Sequence, residues 1–473
     1  MSDSTPDQTS TTSQGGDVAR LRTAVERHMP RGLADLAELV AIPSIADPQV
    51  VPPERCTEAA LWVRDALRDL GIDSELVPTP DGTDAVIGYR EGPAGSPTVL
   101  LYAHYDVQPP LDEAAWTTPP FELTERGGRL YGRGAADCKG NIVAHLTALR
   151  ALRDEAEAAG TDGYPVTLRV VVEGSEEQGT GGLEQYLLAH PDELPADVVL
   201  VADAGNVAEG VPTLTTSLRG SADIDVEVRT LAGPLHSGQY GGAAPDPLGA
   251  LIAMLASLRD GDGVVTVDGL DASGTWDGAQ YDPETFRKDA SILDGVEITG
   301  RGTVSDTLWA RPALTVTGID GPRVVGAVNA VQASARAHLN LRVPPGTDPA
   351  EAQDLLVAHL ERRVPWGAHL KIDRDAPGKP FSARTDGPAF AVLGRALADA
   401  FGVDSTVTAG EGGSIPLCSV FQEVNPDAEI VLMGCEEPAA LIHAPNESVS
   451  PHEIEKLALG EALFLTRLGA ATA

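Results

Sequence analysis

A short apolar run followed by two adjacent glutamates constrains this chain most. Val166 to Val172 is rich in β-branched residues and too short for a helix, so it predicts a buried strand. Glu176, Glu177 and a glycine-rich turn follow. In extended backbone, neighbouring side chains point to opposite sides, so one glutamate can bind a metal while the other carries protons. The alternative is a solvated acidic turn, but active sites of open α/β sheets lie at this end of a strand.

The composition limits the number of domains and the kinds of partner. With 473 residues, the chain is too long for one ordinary core and suggests two or three domains. Acidic residues number 70 and basic residues 34, which gives a formal net charge of −36. This charge argues against nucleic acid or an anionic membrane as a partner, since both are negatively charged. No apolar run approaches the ~20 residues that a membrane-spanning helix needs.

The cysteines and the N-terminal segment indicate the compartment. In a chain of this size, four cysteines without a CxxC pair predict reduced thiols (Cys56, Cys138, Cys418 and Cys435). Residues 1–16 are rich in Ser, Thr, Gln and Asp and lack the basic and apolar regions of a signal peptide, so we expect a disordered tail. These features predict a soluble, cytoplasmic protein.

Strands that alternate with helices indicate the fold of the first domain. Residues 17–40 predict two helical pieces broken at Pro30, and 54–70 predict an amphipathic helix. Strands are expected near 72–77, 85–89, 166–173 and 197–203 and within 98–109, where His104 and Asp106 lie at the C-terminal end, and the later strands alternate with helices. The pattern resumes with a helix at 388–401, a strand at 429–433 and a last helix from 451. We therefore expect an α/β domain, a mostly parallel doubly wound sheet, from residues 17–219 and 383–473.

The pattern changes between residues 220 and 382. Strands and helices follow in the order β-α-β-β-α-β, at 222–230, 247–258, 313–318, 334–343, 349–363 and 370–375. This is the order of a ferredoxin-like α+β unit, here interrupted by a polar segment at about 260–306. Residues 220–382 are therefore predicted to form a separate domain inserted into the first.

Several acids and imidazoles fall at the carboxyl ends of predicted strands or in the loops beside them. They are His104, Asp137, Glu177, Asp203 and His443. Any one of them alone is more often structural, but five at corresponding ends of one sheet are hard to explain as packing. Mixed histidine and carboxylate ligation suits zinc, and also manganese or cobalt. The absence of nearby cysteine pairs argues against a closed structural zinc site.

Five motifs carry a resemblance to a known family. They are His-Tyr-Asp-Val-Gln-Pro (104–109), Tyr-Gly-Arg-Gly-Ala-Ala-Asp-Cys-Lys-Gly (131–140), Glu-Gly-Ser-Glu-Glu (173–177), Leu-His-Ser-Gly-Gln-Tyr-Gly-Gly (235–242) and Gly-Gly-Ser-Ile-Pro (412–416). In order and spacing the chain, from about residue 20 onward, resembles the di-zinc peptidases related to carnosinase, carboxypeptidase G and succinyl-diaminopimelate desuccinylase. The first and fourth motifs look most like the carnosinase and cytosolic dipeptidase branch.

The resemblance implies two zinc ions per subunit and a role for each motif residue. Asp137 is implied to bridge both metals, with His104 and Asp203 completing one site and Glu177 and His443 the other. The peptide bond between the bridging aspartate and the next residue, Cys138, is implied to be cis.

Further roles are implied for residues that do not bind metal. Glu176 becomes the general base and Asp106 the acid that orients the histidine ligand. His236 is implied to stabilise the oxyanion, and Arg342 with Gly413 and Ser414 to hold the substrate's C-terminal carboxylate. The inserted domain becomes a lid that pairs into a homodimer, in which we expect His236 to act in the neighbouring subunit.

The expected activity is hydrolysis of the amide bond of dipeptides or short peptides with a free C-terminal carboxylate. A metal-bridged water attacks, and Glu176 takes its proton. An N-acyl-amino-acid amidohydrolase is the alternative, because the same attack cleaves either amide. A non-catalytic binding module that kept the fold is a third possibility, but it predicts loss of the base or of a ligand, and all are present.

Overall fold

The computed structural model describes residues 9–471, with side chains from residue 16 onward; the first eight residues of the predicted tail lie outside this part. Its helices are α1 (Thr9–Val40), α2 (Glu54–Asp69), α3 (Lys139–Ala159), α4 (Gly182–Ala189), α5 (Ser237–Tyr240), α6 (Pro247–Ala256), α7 (Pro283–Asp289), α8 (Pro349–Arg363), α9 (Pro388–Phe401), α10 (Pro416–Val424) and α11 (Pro451–Ala470). None of the helices described combines the length and apolar character needed to cross a membrane.

The described residues also form nineteen strands. They are β1 (Asp73–Pro78), β2 (Asp84–Arg90), β3 (Thr98–His104), β4 (Thr124–Arg126), β5 (Arg129–Tyr131), β6 (Thr167–Glu173), β7 (Val198–Ala202), β8 (Thr213–Leu218), β9 (Gly220–Ser221), β10 (Ile224–Arg229), β11 (Leu235–His236), β12 (Ala313–Asp320), β13 (Ala330–Val331), β14 (Ser334–Val343), β15 (His369–Arg374), β16 (Phe381–Ser382), β17 (Val407–Glu411), β18 (Glu429–Met433) and β19 (Ser448–Val449).

Helix α1 corrects two features of the sequence interpretation. It begins at Thr9, inside the segment predicted to be a tail, and it runs through Pro30 without a break. Proline in a helix interior removes one backbone hydrogen bond. Burial of the face that carries Leu21, Val25 and Leu36 offsets that loss, because these side chains belong to the main core. The predicted break at Pro30 is therefore wrong.

The first compact unit comprises residues 9–216, 383–409 and 417–471 of the described chain. Its sheet has the order β1-β2-β6-β3-β7-β18-β8. The four neighbours β6, β3, β7 and β18 are parallel, whereas the pairs at either side are antiparallel. Strand β3 is buried from Val99 to His104, as expected for a strand with both sheet faces covered. The predicted α/β fold class is confirmed.

The second compact unit comprises residues 217–382 and 410–416. Its main sheet has the order β12-β14-β10-β15, with antiparallel neighbours throughout, and α6 and α8 complete the predicted ferredoxin-like unit. An Asp-Pro step starts α6, α7 and α8: the aspartate caps the first turn, and proline takes the first helical position. Residues 410–416, which the sequence interpretation assigned to the first domain, belong to this unit.

Candidate metal centre

Parallel strands bring the predicted metal ligands of the first unit to one edge of its sheet. His104 is the last residue of β3, and Asp203 directly follows β7. Glu177 lies shortly after β6, and His443 lies in the segment after β18. Because these four strands are adjacent and parallel, their carboxyl ends meet, and the side chains converge there as predicted.

Asp137, which precedes α3, joins the converging side chains into two groups. Its Oδ1 lies 3.0 Å from Nε2 of His104, and its Oδ2 lies 3.0 Å from Nε2 of His443. His104 Nε2 also lies 3.0 Å from Oδ1 of Asp203, and His443 Nε2 lies 3.0 Å from Oε2 of Glu177. One carboxylate therefore serves two histidine–carboxylate groups. The peptide bond between Asp137 and Cys138 is cis, as expected.

A buried carboxylate that the sequence did not single out holds the Asp137 segment. Glu447 Oε1 accepts hydrogen bonds from the backbone amides of Ala136 (3.1 Å) and Asp137 (3.2 Å). Its Oε2 accepts from Arg133 Nη1 (2.6 Å) and from the Gly134 amide (3.0 Å). These bonds fix the backbone on which the shared carboxylate sits.

Arg133 extends this support to two further segments. Its Nη2 donates to the carbonyl oxygens of Pro109 (3.2 Å) and Ala444 (3.4 Å). Pro109 closes the segment that begins at His104, and Ala444 follows His443. A single guanidinium thus connects the backbone near three ligand-bearing segments.

The two adjacent glutamates lie in a 3₁₀ turn, Glu176–Gln178, rather than in the extended backbone that the sequence suggested. That expectation is wrong, yet the side chains still diverge. Glu177 reaches His443 and accepts two hydrogen bonds from Gln108, from its backbone amide (3.1 Å) and its Nε2 (2.9 Å). Glu176 has Asp203 as its strongest charged neighbour. Glu177 therefore contacts the group that contains His443, and the charge of Asp203 in the other group acts on Glu176.

Asp106 contacts both the histidine and the glutamate turn. Its Oδ1 accepts from the Glu176 amide and its Oδ2 from the Glu177 amide, both at 3.1 Å. Nδ1 of His104 lies 3.1 Å from the backbone oxygen of Asp106 and 3.4 Å from Oδ1. Both the backbone oxygen and the carboxylate of Asp106 thus face the imidazole, and the carboxylate also holds the glutamate turn.

A second aspartate, Asp81, supports the other side of the glutamate turn. Its Oδ2 accepts from Ser175 Oγ (2.6 Å) and from the Thr180 hydroxyl, residues that bracket the turn. Its Oδ1 accepts from Thr79 Oγ1 (2.6 Å) and from Thr83. A Cβ built on Gly182 would lie 2.3 Å from Oδ2, so only glycine permits this approach.

The charges of the site show why a cation fits there. Burial raises the pKa of Glu176 well above its usual value, and repulsion from Asp203 adds to it. Burial also raises the pKa of Glu177, with Asp137 as the main repelling charge. Hydrogen bonds to Asp137 and Glu177 raise the pKa of His443 to about 10. Carboxylates packed this closely need positive charge, and a bound divalent cation would supply it.

The donor atoms also fit a metal by chemistry and spacing. Asp137, Glu177 and His443 offer ligand atoms within 4.8 Å of one another, and so do His104, Cys138 and Asp203. Imidazole nitrogen with carboxylate oxygen is a ligand set that suits zinc. Cys138 Sγ donates to the carbonyl oxygen of Ala202 at 3.0 Å, and burial raises the pKa of this thiol. These observations support a divalent metal at the centre.

The remaining predicted site residues lie in the second unit. His236 is exposed, and its Nδ1 accepts from the Gly238 amide at 3.1 Å. Arg342 is on β14, and Gly413 and Ser414 lie in the segment 410–416. Their predicted roles stay predictions. Sequence reasoning missed Gln108, Asp81, Arg133 and Glu447, because only the folded chain shows which backbone each one holds.

The fold and the shared-carboxylate centre together define a class of enzyme. A sequence profile described as peptidase family M20/M25/M40 matches residues 100–466. The chain therefore belongs to this family, and it is a metallopeptidase. The resemblance stated from the motifs is confirmed.

Individual relatives indicate which members of the family the chain resembles. The chain is 46% identical over 440 residues to a cysteinylglycine-S-conjugate dipeptidase of Corynebacterium striatum, covering 92% of this chain and 95% of that protein. It is 27% identical to the beta-Ala-His dipeptidase of Rattus norvegicus, covering 92% of each. The crystal structure of human carnosine dipeptidase 1 shares the fold, with a TM-score of 0.81 and 24% identity over 96% of this chain and 99% of that one. The relatives agree with the predicted dipeptidase branch.

Proposed function

We propose that the protein is a dipeptidase that binds two zinc ions per subunit at the shared-carboxylate centre, where manganese or cobalt would also fit. The observation that carries this proposal is the position of Asp137, with one oxygen 3.0 Å from each of His104 and His443. The Corynebacterium striatum relative suggests a substrate class, cysteinylglycine S-conjugates, in which the residue before the scissile bond carries a bulky group.

Metal ions held at this centre supply Lewis acidity, lower the pKa of a water and polarise a carbonyl. Glu176 is the proposed general base, because burial raises its pKa above the usual value and so makes its carboxylate a stronger proton acceptor. It accepts the proton of the attacking water and returns it to the leaving amine. Asp106 keeps Glu176 in place through the backbone amide at 3.1 Å.

His236 is the proposed oxyanion donor. Because its Nδ1 accepts a hydrogen bond from the Gly238 amide, the neutral ring carries its proton on Nε2. An imidazole with a free Nε2–H can donate that hydrogen to a developing oxyanion. The hydrogen bond from the Gly238 amide therefore supports the oxyanion-stabilising role that the family resemblance implies for His236.

The second unit, with residues 220–382 as its main part, is the proposed lid and dimerisation domain. Strand β12 lies at the edge of its sheet and exposes Val316 and Ile319. An apolar edge strand favours pairing with a second copy. We also propose a cytoplasmic location, since the four cysteines are buried thiols.

Metal-dependent turnover of matched substrates tests the proposal. The metal-stripped protein should be inactive, and zinc, manganese or cobalt should restore hydrolysis of cysteinylglycine and its S-conjugates. Acetyl and succinyl amino acids should be poor substrates. If those acylated compounds are cleaved faster than every dipeptide, the protein is an amidohydrolase and the dipeptidase proposal is wrong.

Subunit exchange tests the homodimer and the placement of His236. Glu176→Gln and His236→Ala proteins should each be inactive, and mixing under exchange conditions should restore activity. Each mixed dimer then holds one intact base together with an intact His236 from the partner chain. Confirmed exchange without recovery would show that His236 acts in its own chain or has no catalytic role.

A further inference from the structure

An arginine that the sequence did not single out lies beside Arg342 in the second unit. Strand β9 pairs with β14 so that Ser221 lies directly opposite Arg342. Arg219 precedes Ser221 by two residues. Its guanidinium lies near that of Arg342, whose like charge acts on it.

The side chain of Arg219 is held in place by the loop that contains Gly413 and Ser414. Its backbone amide donates to the Gly413 carbonyl (3.1 Å), and its Nε donates to the Gly412 carbonyl (3.3 Å). A Cβ built on Gly412 would lie 2.6 Å from Nη2, so a larger residue there would displace the guanidinium. Arg219 is only 8% exposed. The guanidinium is thus pre-oriented and close to the predicted carboxylate-binding loop.

Two donors of this cluster are buried without a partner. Neither Nη1 of Arg219 nor Oγ of Ser414 has a hydrogen bond. Burial lowers the pKa of Arg219 to about 10, and the like charge of Arg342 contributes to the shift. Buried donors left unpaired are costly, and two like charges side by side add repulsion. A bound anion would satisfy the donors and relieve the repulsion together.

We infer that Arg219 is a further specificity-determining residue, which joins the predicted carboxylate-binding residues Arg342 and Ser414 in a cradle for the substrate's terminal carboxylate. This rests on the proposed dipeptidase function, which brings one carboxylate per substrate. Arginine suits the task because its planar fork matches the two oxygens of a carboxylate. Losing one charged hydrogen bond to the substrate should weaken binding by about 10- to 100-fold.

Substitution of Arg219 by glutamine, with Arg259→Gln as the matched control, tests the cradle. Arg259 is an exposed arginine of the same unit. For a dipeptide with a free C-terminus, Arg219→Gln should raise KM about 10- to 100-fold. For the same dipeptide as its C-terminal amide, KM and kcat/KM should change little, and the control should affect neither substrate. An equal loss on both substrates would overturn the inference.

A direct binding measurement tests the role of Arg219 independently of the proposed dipeptidase activity. Calorimetry of the metal-loaded protein with glycine, glycinamide and inorganic phosphate does not depend on turnover. We expect glycine to bind, glycinamide to bind far more weakly, and Arg219→Gln to remove the difference. Preference for phosphate over glycine would make the cradle a phosphate site and overturn the inference, even if dipeptides are hydrolysed. If Arg219→Gln fails to fold, Arg219→Lys and Ser414→Ala should reduce the glycine preference in the same direction, and unchanged binding in both would refute the cradle.

Discussion

Arg133 and Glu447 form an ion pair across 2.6 Å, and each side chain is about 1% exposed. The carboxylate of Glu447 also accepts from the amides of Ala136 and Asp137. The pair is therefore part of the support for the metal centre as well as of the core. Breaking a buried pair from one side leaves the other charge unpaired, which typically costs about 3–5 kcal/mol.

Replacing Glu447 with glutamine should lower both stability and metal content. We expect the free energy of unfolding to fall by about 3–5 kcal/mol, because Arg133 is left buried without a counter-charge. Urea unfolding and metal analysis of the purified protein measure the two effects. Arg55→Met is the control, since Arg55 pairs with Glu58 at an exposed site, where such pairs contribute about 0–1 kcal/mol. A Glu447→Gln protein with full metal content would show that the bonds to Asp137 do not support the centre.

Substitution of the two adjacent glutamates by glutamine should have different effects on kcat and on metal content. Glu176→Gln removes the proposed base and should reduce kcat about 10²- to 10⁴-fold while both metals stay bound. Glu177→Gln removes a proposed ligand, and it should reduce the metal content measured on the same preparations. The opposite pattern would mean that base and ligand are interchanged.

Asp81 should affect metal affinity or kcat, although it is not one of the proposed metal ligands. Asp81→Asn weakens the bonds to Ser175 and Thr180, which bracket the glutamate turn. We expect a loss of about 10- to 100-fold in metal affinity or kcat, as is usual when a supporting partner of a ligand is changed. Asp192→Asn, at an exposed aspartate, should leave both unchanged. A shift in the melting temperature alone, with normal metal affinity and kcat, would limit Asp81 to a structural role.

A buried histidine outside the metal centre should make stability depend on pH. His145 Nδ1 lies 2.6 Å from Oε2 of Glu461; burial opposes its charged form, but the carboxylate raises the pKa above its usual value. The charged pair therefore contributes fully below the unfolded-state pKa of about 6.5, and the contribution is lost as pH rises through the folded-state pKa.

Urea unfolding between pH 6 and pH 9 measures this dependence. The free energy of unfolding should decline with pH in the wild type, and the decline should be smaller in His145→Gln. His190→Gln, at an exposed histidine, provides the comparison. Identical pH profiles for wild type and His145→Gln would contradict the assignment of the charged pair.

Much of the fold could be predicted because the local signals agree with the tertiary structure. Strand β14 (334–343), helix α8 (349–363) and helix α9 (388–401) have the predicted bounds. The helix break predicted at Pro30 does not occur, because burial of α1 outweighs one lost hydrogen bond. Local preference alone cannot show that outcome.

The candidate metal ligands at strand ends could be predicted from the sequence. The residues that hold these ligands or neighbouring loops in place could not. His104 and Asp203 follow directly from the strand pattern, since parallel strands end at one edge. Glu447 and Arg219 could not be assigned roles from sequence, because their importance lies in contacts with the remote Asp137 and Gly412 backbone. Such contacts join segments far apart in the chain and leave no local pattern.

The position of β18 in the sheet has a consequence for the order in which the enzyme is made. β18 lies between β7 and β8, although it follows them by about two hundred residues of chain, and His443 comes later still. The ribosome therefore synthesises β18, which occupies the position between β7 and β8, long after four segments of the centre. These segments contain His104, Asp137, Glu177 and Asp203. Since chains fold from the N-terminus as they emerge, the growing polypeptide has a gap where β18 belongs and lacks one imidazole of the centre. The centre thus cannot be completed before residue 443 has been synthesised, and we predict that a chain cut short before this residue has no hydrolytic activity.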